Sequence, residues 1–147
     1  MLSSITDRCP HPLAGPGISL TVKESRSPSD SRSARSPRYA CVFTVPALAS
    51  VGLTQTAAEE QGIELRVEVN DMRNWLSGRT YAETAAWAKV LIDRQTDRII
   101  GAHILGHAGE ELIHIFALAM RHGITAGYIK DLIYGFPTFS ADIKSLW

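Results

Sequence analysis

The sharpest alternation of apolar and polar positions runs over Ile63–Met72. There Ile63, Leu65, Val67 and Val69 interleave with Glu64, Arg66, Glu68 and Asn70. A period of two is that of a strand with one wet face, and it predicts an antiparallel sheet covered by helices on its other face. A second alternation over Trp87–Asp93 sets Ala88, Val90 and Ile92 against Trp87, Lys89 and Leu91. The polar run Arg94–Asp97 reads as a turn. Arg98–Gly106 then returns as a second arm whose interior is apolar except for His103, with Gly101 and Gly106 as places for a kink or bulge. This hairpin leads into Ala108–His122, which takes on helical spacing and ends at Gly123, a residue suited to a left-handed C-cap.

The remaining elements are shorter. Tyr39–Val45 is rich in β-branched and aromatic residues and stops at Pro46, and Ala47–Leu53 is a second extended piece. Gly52 marks a bend or a close approach of backbone. Thr54 is placed to cap a short helix over 55–61 that Gly62 ends. Arg73–Thr84 reads as a loop with Gly78 at its tip. Thr125 can cap a helix over Ala126–Ile133, Phe136-Pro137 is a turn signal with a raised chance of a cis peptide, and Ser140 can cap a last helix over Ala141–Leu146. The expected fold class is α+β, an antiparallel sheet with helices packed on one face.

One helix asks for more cover than a small domain supplies. Leu112, Ile113, Ile115, Phe116, Ala117, Leu118, Ala119 and Met120 make Ala108–His122 apolar on nearly all sides. Such a helix is covered on more than one side, which points to a partner subunit or domain. Glu110 and Glu111 in its first turn and Arg121 and His122 in its last match the helix dipole.

Composition divides the chain in two. Residues 1–38 hold nine serines, five of the seven prolines, and six basic against three acidic residues. With no apolar periodicity, this stretch is expected to be a disordered tail, leaving 39–147 as the folded domain. The whole chain is formally neutral, which gives no case for nucleic acid as a partner. No apolar run approaches the ~20 residues of a membrane span and no signal peptide is evident, so a cytoplasmic protein without membrane partners is expected. Cys9 and Cys41 lie far apart and form no redox motif.

Candidate chemistry is sparse. There is no GxGxxG after a strand, no phosphate-binding loop with Lys-Ser/Thr, no GxSxG, and no cysteine–histidine pair outside the Cys9–His11 stretch of the tail. His103 and His107 straddle the strand-to-helix junction, and His114 and His122 are eight apart, so no metal-ligand set emerges. Trp75, Trp87 and Trp147 could stack on a flat ligand but read more simply as core or interface anchors.

The order of motifs nevertheless resembles a known family. VFTVPALASVGLT (42–54), AKVLIDRQTDRIIGAHILG (88–106), AGEELIHIFALAM (108–120) and FPTFS (136–140) are similar to the C-terminal dimerisation domain of the FAD-dependent pyridine nucleotide-disulfide oxidoreductases, the glutathione reductase, dihydrolipoamide dehydrogenase and mercuric reductase family. The resemblance covers about residues 40–147. It implies a domain that joins two subunits, in a family whose full-length members use FAD and NAD(P)H. In that family a late His-Pro reaches the partner's flavin, and a glutamate five residues on assists the histidine as acid/base for a thiol.

Carried onto this chain, the histidine position holds Phe136 and the glutamate position holds Ala141, with Asp142 one residue too late. Phenyl and methyl groups transfer no proton. No catalytic residue is therefore expected, while Phe136, Pro137 and Thr138 are expected to face a partner's flavin. The family's two nucleotide-binding domains and its redox cysteine pair have no counterpart in the sequence. The resemblance implies an interaction module, a homodimer, that binds no cofactor alone and is not catalytically complete, belonging to cell redox homeostasis. The alternative is a split subunit or fragment that completes the flavin and disulfide site of a separately encoded reductase.

Overall fold

The computed structural model describes residues 38–147. The tail expected to be disordered, and Cys9 within it, lie outside the described residues save for Arg38. Five strands form one antiparallel sheet: β1 (Tyr39–Val42), β2 (Ala47–Gly52), β3 (Leu65–Asp71), β4 (Trp87–Asp93) and β5 (Ile99–Gly106), in the order β1-β2-β5-β4-β3. The helices are α1 (Gln55–Glu60), α2 (Leu76–Thr80), α3 (Gly109–His122), α4 (Ala126–Asp131) and α5 (Phe139–Asp142), the last running into a 3₁₀ turn over Ile143–Ser145.

The β4–β5 hairpin is the centre of the sheet, and α3 lies across β2 and β5. Ala49, Val51, Ala88, Val90, Ile92, Ala102 and Ile104 face Leu112, Ile113, Phe116 and Ala119 of α3 in one core, closed by Ile129, Ile143 and Leu146. The α3 stripe is spaced for this: 112, 116 and 119 follow one helical face, and 113 adjoins it. Phe116 is the largest of the fully buried side chains.

The expected caps at 54, 123 and 125 are in place. Thr54 accepts from the Ala57 N–H at 3.2 Å, and Thr125 accepts from the Tyr128 N–H at 3.4 Å. Gly123 is left-handed at φ 65°, and the Ile124 N–H donates back to the Ala119 carbonyl at 2.9 Å. The turn Arg94–Asp97 is ordered by Asp93, whose carboxylate accepts from the Gln95 N–H (2.9 Å) and the Thr96 hydroxyl (2.7 Å). These two donors hold the Asp93 carboxyl below its ordinary pKa. Asp97 then ties the turn to α4 by accepting from the Gly127 N–H at 2.9 Å.

The close approach expected at Gly52 is real. Gly52 (φ 84°) faces Gly101 across β2 and β5, and the Leu53 N–H donates to the Ile100 carbonyl at 2.8 Å. The register shifts between Leu91 and Ile92, where Ile100 is the extra residue of a bulge.

Several expectations need correction. β1 ends at Val42, leaving 43–46 as the tip of the β1–β2 hairpin, and α4 ends at Asp131, short of Ile133. The expected loop 73–84 contains α2. Gly78 is buried inside that helix, where an added Cβ would lie 2.3 Å from the Met72 carbonyl oxygen. The last helix starts at Phe139 under a Thr138 cap, because Thr138 rather than Ser140 accepts from the Ala141 N–H. The sidedness of β3 also differs. Val67 pairs Leu91 and Val69 pairs Lys89, while Arg66, Glu68 and Asn70 pair Ile92, Val90 and Ala88. Directly opposed residues share a face. The polar set of β3 therefore lies on the α3 side, and the apolar set lies on the opposite one, where Val69 is 56% exposed.

Candidate functional site

The stretch 135–142 makes a tight corner. The Phe136–Pro137 peptide is cis, and Thr138 closes the corner in both directions. Its hydroxyl donates to the Gly135 carbonyl at 2.6 Å, and its oxygen accepts from the Ala141 N–H at 3.2 Å. Phe136 is left 81% exposed at the rim. Ala141 is half-buried on α5, and the next residue, Asp142, accepts a hydrogen bond from the Ser77 hydroxyl of α2. That bond fastens α2 to α5 across 65 residues of sequence.

Between α2 and this corner lies a cleft of about 250 Å³. Leu76, Tyr81, Phe136, Pro137 and Phe139 form its apolar walls, Ser77, Thr80 and Thr138 contribute hydroxyls, and Asp142 is its one charged residue. Behind it, Tyr81 stacks on His107 with centroids 3.9 Å apart, and Phe139 packs on both rings at 5.1 and 4.7 Å. His107 Nδ1 lies 3.9 Å from a carboxylate oxygen of Glu83.

Phe136, Pro137 and Thr138 thus sit together at one edge of the cleft, and the positions 136 and 141 offer no group that could move a proton. Tyr81, Glu83, His107 and Phe139 were not singled out by the sequence as neighbours of that corner. Their separations carry no local signal, since the tertiary approach of α2 to α5 brings them together.

Two of the other polar candidates, His103 and His114, have structural partners. The His103 ring takes the neutral form: Nε2–H donates to the Leu53 carbonyl at 3.2 Å and Nδ1 accepts from the Ser50 hydroxyl at 3.1 Å. Burial pushes its pKa down. His114 donates to the Glu111 carbonyl and stacks on Tyr39. Burial pushes the Cys41 thiol up, against a smaller opposing effect of its hydrogen bond with Tyr39. A thiol held protonated is a poor nucleophile. Trp75 and Trp147 pack against the core. Among the described residues no group of three or more His, Cys, Asp or Glu side chains could hold a metal ion, and no helix is long and apolar enough to cross a membrane.

Comparison with known proteins gives a consistent result. The pattern of the pyridine nucleotide-disulphide oxidoreductase dimerisation domain matches residues 39–146. An uncharacterised 19.7 kDa protein in a mercuric resistance operon of Staphylococcus aureus is 38% identical over 105 residues, covering 71% of this chain and 58% of that protein. A dihydrolipoyl dehydrogenase of Chlorobaculum tepidum is 31% identical over 127 residues, covering 86% of this chain and 27% of the enzyme. A mercuric reductase of Shewanella putrefaciens is 36% identical over 118 residues, 73% of this chain and 21% of that protein. In structure, the HOCl-induced flavoprotein disulfide reductase RclA of Escherichia coli superposes with a TM-score of 0.73 at 28% identity, over 76% of this chain and 26% of that one. The chain therefore spans between about a fifth and somewhat over half of the length of these relatives.

Proposed function

Because the chain belongs to the pyridine nucleotide-disulphide oxidoreductase family and is its dimerisation domain, we propose that it works by assembly: two copies associate as a homodimer that has no catalytic site of its own. The observation that carries this is the apolar surface left over once the core is closed. Leu118 on the outer side of α3 is 55% exposed, Tyr128 on α4 is 75% exposed, and Ile133 after it is 96% exposed. Together with Leu132 and Phe136 they follow one stretch of chain. Exposed large apolar residues in such a run mark an association surface.

The test is sedimentation velocity over a wide concentration range. A concentration-dependent dimer is expected, shifted to monomer by Ile133→Asp. Since Ile133 is almost fully exposed, that change leaves the fold intact. A wild-type chain that sediments as a monomer at every concentration overturns the reading.

In the same reading Phe136, Pro137 and Thr138 face the flavin of a partner flavoprotein subunit. The residues present fit the edge of a flat ring and no more. The Phe136 ring can stack, whereas the Thr138 hydroxyl is spent inside the corner. Among the described residues no glycine-rich loop opens a helix as a diphosphate cradle, so FAD and NAD(P)H would be held by another chain or domain. A bound flavin would supply the redox chemistry, and this chain's residues would shape and shield its edge. The reading places the protein in the cytoplasm and in cell redox homeostasis, in line with two widely spaced cysteines.

A further inference from the structure

The cleft between α2 and the 136–142 corner combines two properties of which the assembly reading uses only the Phe136 ring. Its walls include three aromatic rings, Tyr81, Phe136 and Phe139, and its one charged residue is the carboxylate of Asp142, with no lysine or arginine among the lining. The adjoining hollow shares Asp142, Ser77 and Phe139, and adds His107 and the Glu83 carboxylate 3.9 Å from its ring. Aromatic faces present negative charge, and so do the carboxylates. Both therefore favour a positive group, and the apolar walls favour one that is weakly hydrated.

The parts are held in place. Asp142 is fixed by the Ser77 hydroxyl, and Tyr81 is backed by the His107 ring at 3.9 Å. Phe136 stands bare at the rim, a position from which it contributes nothing to the core and could cover a bound group. A volume of about 250 Å³ falls just below the usual range for drug-sized ligands and suits a small head group.

The geometry points to a binding site for a small quaternary ammonium compound in this cleft, with Tyr81, Phe136 and Phe139 as walls and Asp142 as the counter-charge. Positive charge is the discriminating property. A neutral molecule of the same shape fills the cleft but gains neither the cation–aromatic attraction nor the pull of the carboxylate.

The test is a titration of the full chain, followed by amide ¹H–¹⁵N spectra, with choline and separately with its neutral isostere 3,3-dimethylbutan-1-ol, at ionic strength held constant with sodium chloride. The amides of Tyr81, Phe139, Ala141 and Asp142 are expected to shift, with choline binding about tenfold tighter than the alcohol. Asp142→Asn should weaken choline and leave the alcohol unchanged, while Phe136→Ala should weaken both, choline the more. Phe136 is exposed, so its variant keeps the fold, which the unchanged remainder of the spectrum verifies. Equal affinity for choline and the alcohol, or amides at 81 and 139–142 that stay fixed at the highest choline concentration reached, overturns the proposal. Phe136 belongs to the association surface as well, so Asp142→Asn, which lies outside that surface, separates the two readings: it should lower choline affinity and leave the sedimentation of the chain unchanged.

Discussion

Gly101→Ala is a test of how β2 and β5 are allowed to meet. A Cβ at Gly101 would lie 2.2 Å from the Leu53 carbonyl oxygen and 3.0 Å from Leu91 Cδ1. Neither neighbour has room to give. Leu91 is fully buried, and the Leu53 peptide is held at both ends, its N–H on the Ile100 carbonyl at 2.8 Å and its carbonyl on His103 at 3.2 Å. The methyl group must push the exit of β2 off β5. The lost Leu53–Ile100 hydrogen bond costs about 1 kcal/mol. Overpacking against Leu91 adds ~1–3 kcal/mol. The expected loss is therefore about 2–4 kcal/mol. Gly62→Ala is the control. Gly62 is left-handed, at φ 70°, but an added Cβ meets nothing within 4 Å. Only the backbone penalty remains there, ~1 kcal/mol. Urea unfolding followed by tryptophan fluorescence measures both variants. A Gly101→Ala loss no larger than that of Gly62→Ala would refute the steric argument.

Other expectations follow from single contacts. Phe116→Ala, at the largest fully buried side chain, should cost ~3–5 kcal/mol in the same urea assay, and a loss under ~1 kcal/mol would mean that α3 is not seated as described. Thr138→Ala should cost ~1 kcal/mol through the lost cap of α5 while Ser140→Ala costs almost nothing, and thermal unfolding that ranks them the other way would restore the sequence-based cap. His103 gives a pH dependence of known sign. Its folded pKa is lowered, so the unfolded chain binds the proton more readily. Its contribution is complete above the unfolded value of about 6.5 and is lost as pH falls through that value towards the folded one. His103→Gln should flatten this part of the stability–pH curve, and a curve of unchanged slope would show that the ring is not the group responsible.

Much of the architecture was legible because local and tertiary signals agreed. Thr54, Gly123 and Thr125 sit at element ends where cap chemistry and the apolar pattern coincide, and each does what its type predicts. The β4–β5 hairpin was legible for the same reason. The sidedness of β3 was not. Val90, Leu91 and Ile92 of its neighbour are all fully buried, so β4 offers an apolar seat on both faces and the period of β3 alone cannot choose between them. The helix α2 was missed because LSGRT is five residues long and contains a glycine. That glycine serves close packing on the Met72 carbonyl, a tertiary reason with no local trace. At the candidate site, Phe136, Pro137 and Thr138 could be located by motif. The Tyr81–His107–Phe139 stack could not, because it depends on α2 and α5 meeting.

The placement of Arg66, Glu68 and Asn70 on the helix side of β3 has a further result. β3 is one outermost strand of the sheet, and β1, the other, has only four residues. Arg66 reaches Asp97 at 3.3 Å and Glu68 at 3.4 Å, and the Asn70 amide donates to the Leu146 carbonyl at 3.1 Å. A foreign strand laid along β3 would find main-chain partners, yet it would have to close over charged head groups aimed inward. The ribbon is end-stopped. Lengthening it strand by strand is disfavoured at this border, a safeguard against fibrous growth, and contact through side chains is the route left open to a second copy.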